Sequence, residues 1–413
     1  MRGALGAWEG ATMTLTDGIT IRSATEDDLT SIRTLVATSF GAYGPAGFRE
    51  HSRQLFPPAD AIVAVDDGVV VGHVKSRRMT VTVPGERAVD GCGIAAVGVA
   101  PTHRRRGILR AMYTEQHRRT EAAGLALTLF TASEGSIYGR FGYGPAVREN
   151  AVSIDRRFAE FRPTTPDPGG VLLAEAAEVT EHVEAVYDRW RRFTPGVQVR
   201  PAASWAMLFA DPEPVRDGGS ELFAFTHPDG YALYRNHFTE SERTVDVLEL
   251  RAVTAEAHAA LWRALLGLDL AQRVKAVLGD NDPLPYLLTD PRLVRTTNRE
   301  DGLWLRLMDI PAALTARTYQ RDLELVLAVQ DPFRDAGGTF ALRVRNGIAE
   351  CAPTTRAPEI ELGIDVLASM YLGAYPARVF AAANRLQAKD PADLAALQEA
   401  FGTDRDAVLG WFF

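Results

Sequence analysis

Residues 95–119, AAVGVAPTHRRRGILRAMYTEQHRR, bring together the residue types that hold an anion. An apolar run reaches Pro101, and a short turn carrying Arg104, Arg105 and Arg106 follows. Gly107 comes next, then a helical pattern with Ile108, Leu109 and Met112 on one side. A strand–turn–helix junction of this kind exposes the unpaired N–H groups and positive dipole end of a helix. With arginines beside them, these groups suit a pyrophosphate, and Gly107 would let the backbone approach it closely. No GKS or GKT follows and the spacing is not GxGxxG, so this is neither a Walker loop nor a dinucleotide fingerprint. The competing reading is a solvated basic turn, with His103 as a structural or solvated side chain.

Two other places could carry chemistry. Tyr138 lies in SIYGRFGYGP, where a phenol could give up a proton or simply pack with Phe141 and Tyr143. The chain given closes on VLGWFF, residues 408–413, three aromatics with a carboxylate attached. Either the end docks into a core, or the aromatics bury themselves to place that carboxylate. An exposed α-carboxyl, with a pKa of about 3.3–3.7, is a feeble base; burial would raise it. Cys92 and Cys351 lie outside any segment that reads as catalytic. They argue against a disulfide framework and fit a reducing cytoplasm. No His/Cys/carboxylate cluster suggests a metal.

The elements that must position these groups read as α/β over residues 19–160. A strand leads to a helix entered at Thr25, a hairpin spans 61–81 around Asp66-Asp67-Gly68, and strand 92–100 precedes a helix over about 107–123 and a strand over 125–131. RPTTPDPGG (162–170) reads as a linker. The order hairpin–strand–helix then recurs at 223–238, 245–253 and 255–269. From about residue 303 the pattern becomes a small α+β module. The expected organisation is a disordered extension over 1–18, with Met13 as a candidate start, then domains over 19–162, 163–304 and 305–413. A chain of 413 residues, 46% hydrophobic and 24% charged, has apolar content for several cores. A net charge of −8 disfavours nucleic acid as a partner and favours cationic small molecules. No run is long and apolar enough for a membrane span or a secretory signal.

The turn resembles the acetyl-CoA motif of the GNAT acyltransferases, Arg/Gln-x-x-Gly-x-Gly/Ala, with Leu109 at the last position. Together with ASEGSIYGRFGYGPA (132–146), HPDGYALYR, ELRAVTAEAHAALWRAL, DPLPYLLTDPRL and LGAYPARVFAAANRLQAKD, the chain resembles the Eis family of actinobacterial N-acetyltransferases over nearly its whole length. That resemblance implies two tandem GNAT-like α/β domains followed by an α+β domain of sterol-carrier-protein fold, assembled as a homohexamer. It implies acetyl-CoA as co-substrate, with no metal. The acceptors implied are amines of small cationic molecules, aminoglycosides and polyamine-like compounds, with lysine side chains as an alternative. A CoA- or lipid-binding protein without turnover is the reading from another class.

Residue by residue, the resemblance implies that the Val97, Gly98 and Val99 backbone pairs with the pantetheine arm. Arg104, Arg105, Arg106, Gly107, Ile108, Leu109 and Arg110 would surround the pyrophosphate. Ser133 and Glu134 would lie near the reactive end of the cofactor. Tyr138 would be the general acid and the Phe413 carboxylate the general base, desolvated by Trp411 and Phe412, in a direct transfer without an acyl-enzyme. Phe40 would line the acceptor cavity. Ala42 stands where the family carries an acidic residue, and Phe412 replaces an acidic penultimate residue.

Overall fold

The structure is a computed structural model, and it describes residues 12–15, 17–41 and 49–413. It contains two compact units. The first comprises Met1–Val147, Pro195–Val199 and Gly302–Phe413, the second Arg148–Thr194 and Arg200–Asp301.

The first unit holds two sheets. The larger is built from β1 (Met13–Thr14), β2 (Thr20–Ser23), β3 (Ile62–Asp66), β4 (Val69–Val83), β5 (Arg87–Val99), β6 (Leu127–Phe130), β7 (Gly144–Pro145) and a late strand, β15 (Trp304–Leu307). Their order is β1-β2-β3-β4-β5-β6-β15-β7. Asp67 and Gly68 both take positive φ (46° and 80°), which fits the two-residue left-handed turn expected between β3 and β4. Helix α1 (Leu29–Phe40) is entered through a turn in which the Asp28 carboxylate accepts from the Thr25 N–H at 2.8 Å and pairs with Arg22 at 2.7 Å. The Arg22 guanidinium, with the Thr25 hydrogen bonds, holds the Asp28 carboxyl at about 2 against the opposing effect of burial. Further along the chain come α2 (Arg49–Leu55), α3 (Ile108–Ala122) and α4 (Gly135–Tyr138).

The two faces of this sheet bury different cores. Cys92, Ile94, Phe130 and Trp304 pack with Ile108, Met112 and Tyr113 of α3. Leu127, Leu129, Leu305 and Leu307 face the other way and join the core of the C-terminal module. That module carries a sheet of β16 (Leu323–Gln330), β17 (Gly338–Arg345), β18 (Ile348–Pro353), β19 (Ile360–Gly363) and β20 (Leu386–Ala388), in the order β18-β17-β16-β19-β20.

The second unit is a sheet in the order β14-β8-β13-β12-β11-β10-β9: Val294–Asp301, Arg148–Asp155, Arg273–Leu278, Arg243–Ala252, Gly230–Phe238, Phe223–His227 and Leu172–Glu175. The recurrence of hairpin, strand and helix is present here. Strands β10 and β11 form the hairpin, β12 follows, the helix Ala255–Leu266 crosses over, and β13 pairs parallel to β12.

The two compact units divide the chain at other places than the expected domain limits. The chain passes to the second unit at Val147/Arg148 rather than after 162, because Arg148–Asp155 pairs with both β13 and β14. It returns at Gly302, because β15 pairs with β6 and β7. Within the 1–18 extension, Met13 and Thr14 pair with Ile21 and Thr20, so these residues form a strand; residues 1–11 and 16 lie outside the described residues.

Candidate active site

The site begins where two parallel strands part. Pairing of β5 with β6 runs only from Gly91↔Leu127 to Gly93↔Leu129. Just beyond it, β5 bulges: Ala96 takes φ 49° and the register with β4 shifts between His73 and Lys75. The bulge is pinned from inside by His73, whose Nδ1–H donates to the Ala96 carbonyl at 2.9 Å. Burial holds this imidazole neutral, pushed down to about 3. Beyond the bulge, which takes up Ala96 and Val97, Gly98 and Val99 remain paired with β4 on one edge, through His73↔Gly98 and Gly72↔Val99, and leave β6 on the other. A wedge with a backbone edge is what an extended amide-bearing arm requires.

At the mouth of the wedge, Gly107 takes φ 78° and caps α3. A Cβ there would meet no atom within 4 Å, so conformation rather than space calls for glycine. The first bond back to Gly107 comes from the Ala111 N–H at 3.0 Å, which leaves the N–H groups of Ile108, Leu109 and Arg110 without helical partners. Arg104 and Arg105 are exposed on the turn. Arg106 differs from the expectation: its guanidinium engages Asp17 at 2.6 Å and Asp66 at 3.4 Å, so its side chain braces the turn. His103 is structural as well, between Thr102 and Asp66. Leu109 packs against the core under α3, and the Arg110 guanidinium lies over the Phe333 ring.

The tip of β6 carries the other half of the site. Phe130 packs against Tyr138 with ring centroids 4.4 Å apart, and Trp304 and Tyr113 close around the same phenol. Burial, with the Glu134 charge second, raises the Tyr138 pKa, so the phenol stays protonated. The neighbouring Tyr143 is already engaged, with its hydroxyl 2.8 Å from His117 Nε2 in the interior. Ser133 and Glu134 are exposed between β6 and α4, and Glu134 precedes the first turn of α4 without a side-chain cap bond.

Residue Thr131, one past Phe130, points to the opposite face. Its hydroxyl reaches the main-chain oxygen of Phe413 at 3.5 Å. The Phe413 ring sits over Gly93, where an added Cβ would meet both Met79 and Phe413. Trp411 is buried and packs on Phe413 at 5.3 Å. Phe412 is a correction: at 78% exposure it contributes no desolvation, because successive residues of the extended tail face opposite ways. Val408 anchors the approach through its N–H to the Pro195 carbonyl at 2.9 Å. Phe40 ends α1 half exposed, beside Ser39, which approaches Gly98; Ala42 lies outside the described residues. Burial pushes the Cys92 thiol up to about 11 and Cys351 to about 12, so neither is a ready nucleophile. Among the described residues no cluster of metal-ligating side chains occurs, and no helix is long and apolar enough to cross a membrane.

Comparison with known proteins fits this geometry. Residues 20–146 and 196–307 match two "Acetyltransferase (GNAT) domain" families, and 310–410 match "Sterol carrier protein domain". The N-acetyltransferase Eis of Mycobacterium tuberculosis is 47% identical over 94% of this chain and 97% of its own length. The chain belongs to the Eis-type N-acetyltransferases of the GNAT superfamily. An uncharacterized N-acetyltransferase of Streptomyces avermitilis is 32% identical over 95% of this chain and 98% of its own. The crystal structure of Eis1 from Mycobacterium abscessus superposes with a TM-score of 0.84 at 31% identity, covering 96% of this chain and all of that one. Acetyl-CoA is the acyl donor of GNAT enzymes.

Sequence reading missed His73, Phe130, Thr131 and Trp304. Only the alternation of β6 hinted at the Phe130/Thr131 split; His73 and Trp304 become relevant through pairing with distant strands.

Proposed function

We propose that this chain transfers the acetyl group of acetyl-CoA directly to a primary amine of a small molecule. The family resemblance points to aminoglycoside and polyamine-like amines, and to a homohexameric assembly in the cytoplasm. Val97, Gly98 and Val99 would pair with the pantetheine arm. Arg104, Arg105 and the N–H groups of Ile108, Leu109 and Arg110 would hold the pyrophosphate. The amine nitrogen attacks the thioester carbonyl, the carbon–sulfur bond breaks, and the departing sulfur takes the proton of Tyr138. The proton lost by the attacking amine passes to the Phe413 carboxylate.

One observation carries this reading: the tip of β6 holds Tyr138 through Phe130 and Phe413 through Thr131. In this reading the phenol and the terminal carboxylate, as acid and base, would both work from the end of β6. The test is CoA release from acetyl-CoA with aminoglycosides, polyamines and a lysine peptide, comparing the chain with one extended by two glycines after Phe413. Turnover by the first and near loss by the second, with acetyl-CoA affinity retained, is the expected result. Equal turnover would remove Phe413 from the mechanism. No turnover with any amine would overturn the enzyme reading.

A further inference from the structure

The tail covers a strand face that also carries two partly buried cations. Lys75, Arg77 and Met79 alternate along β4 and lie opposite Ala95, Gly93 and Gly91 of β5. Directly opposed residues share a face, and Gly93 is the residue under the Phe413 ring. Lys75 and Arg77 therefore stand beside the terminal residue, with Arg77 two strand spacings, about 10 Å, from the line of β6.

Neither cation is satisfied in the usual way. The Nε and Nη1 atoms of Arg77 are buried and have no hydrogen-bond partner among the described residues. The adjacent Trp411 presents its indole Nε1–H in the same state, buried and without an acceptor, with its ring centroid 6.0 Å from the Arg77 guanidinium carbon. Lys75 has one long contact, Nζ to the Ser52 hydroxyl at 3.5 Å. Both cations face the Phe56 ring, at 5.8 Å and 5.7 Å. Asp60 is buried nearby and its charge acts on Arg77 against the effect of burial. Burial lowers the pKa of both Lys75 and Arg77, the sign of charges held out of water without full compensation. Unsatisfied buried donors are expensive and call for an acceptor. Lys75 and Arg77 are only partly buried as whole residues.

We propose that Lys75, Arg77 and the Trp411 indole N–H recognise an anionic group on the acceptor, so that the acetylated amine belongs to a molecule that also carries a carboxylate or a phosphate. The proposal rests on the acetyl-transfer step proposed above but departs from it in the acceptor, replacing a bare polycation with an amine that carries an acid roughly 5–10 Å away. It sets a local cationic subsite against an overall charge of −8, which by itself pointed to cationic partners. Arg77 supplies a planar fork suited to either anion, and Lys75 a second, less directional charge.

The test compares aminohexanoate with its uncharged amide, with aminopentyl phosphate and with spermidine, in steady-state acetyl transfer. The expected result is a kcat/KM for an acid-bearing amine at least about tenfold above the amide. Arg77→Gln should abolish that preference through KM, while Arg77→Lys and Trp411→Phe each retain part of it. Whichever of the carboxylate and the phosphate gives the larger ratio names the anion. A ratio near one in the native chain, a preference for spermidine, or a preference that survives Arg77→Gln would overturn the proposal. Calorimetric binding of the same compounds to the CoA complex gives a readout independent of turnover. If no amine is acetylated but the acid still binds more tightly than the amide, and Arg77→Gln removes the difference, the subsite stands and the transfer reading fails. If acid and amide bind alike, the subsite fails. Acetyl-CoA affinity is the folding control, and Lys75→Gln carries the test should Arg77→Gln lose it.

Discussion

The Thr131 hydroxyl stands 3.5 Å from the main-chain oxygen of Phe413 and donates to it. In the proposed mechanism that oxygen belongs to the carboxylate that takes up the amine's proton, and Thr131 would steady it. The bond is long, so its contribution is at the low end of about 0.5–1.5 kcal/mol. Thr131→Val should therefore lower kcat about threefold and leave the KM for acetyl-CoA unchanged. Steady-state kinetics decide this; an unaltered kcat would detach Thr131 from the placement of the tail.

Loss of the Tyr138 hydroxyl should be far more costly. Tyr138→Phe keeps the ring contacts with Phe130, Trp304 and Tyr113, so the fold has no reason to change. In the proposed mechanism what disappears is the proton for the departing thiolate, and positioned proton transfer contributes about 10²–10⁴ in rate. The expected variant binds acetyl-CoA normally and turns over at least about a hundredfold more slowly. Tyr143→Phe is the control, because that hydroxyl is engaged with His117 in the interior; if it proved the more damaging change, the acid would be misassigned.

Gly107→Ala separates conformation from bulk. The added methyl meets nothing within 4 Å, but φ 78° is a left-handed backbone, costing roughly 1–2 kcal/mol for a residue with a Cβ. Relief of that strain would move the N–H groups of Ile108 and Leu109. A rise of about tenfold in the acetyl-CoA KM, with a smaller effect for Gly107→Asn, is expected from kinetics or direct titration. Equal affinities would mean that the turn is a solvated basic loop.

That turn was legible from local signals alone: a proline closing a strand, consecutive arginines, a glycine and a 3.6-residue period fall within one short segment. The alternation Leu127, Leu129 against Thr128, Phe130 likewise marks a strand buried on both faces. What no local signal could reveal is who covers each face. Trp304–Leu307 inserts between β6 and β7 after the chain has built a whole second unit, and Arg148 opens a strand that pairs with β13 and β14. Lys75 and Arg77 sit in a stretch that reads as half of a hairpin. Arg77 meets Trp411 near the far end of the sequence, a contact that composition and periodicity do not encode.

Acid should weaken the native state through its buried histidines. Burial holds His73 at about 3, with the Lys75 charge adding to the effect, and holds His117 well below its usual value. In the unfolded chain both titrate near 6.5. Below that pH the unfolded chain takes up protons that the native chain refuses, so stability falls as pH drops from about 6.5 toward 3. The slope is at most about 1.4 kcal/mol per pH unit for each histidine. Denaturant unfolding at a series of pH values should show this decline. His73→Asn should remove one histidine's share of the slope, and an unchanged slope would mean that the imidazole is solvated.

The loop that bears Tyr138 is tied to the C-terminal module by a fully buried ion pair. Arg306 and Asp331 are bonded to each other, and Arg306 Nη1 also donates to the Phe141 carbonyl at 2.6 Å. Arg306 lies on β15 between core-facing Leu305 and Leu307. Removing one partner strands a charge in a dry interior, which costs about 3–5 kcal/mol, whereas replacing both by apolar residues of similar volume is often close to neutral. Asp331→Leu should accordingly destabilise the first unit by that amount, and the double variant Arg306→Met, Asp331→Leu should recover most of it. The double variant still lacks the donor to Phe141, so its stability should return while kcat stays depressed. Chemical denaturation and turnover, measured on the same three proteins, separate the two effects; recovery of both would show that the pair stabilises the fold without positioning Tyr138.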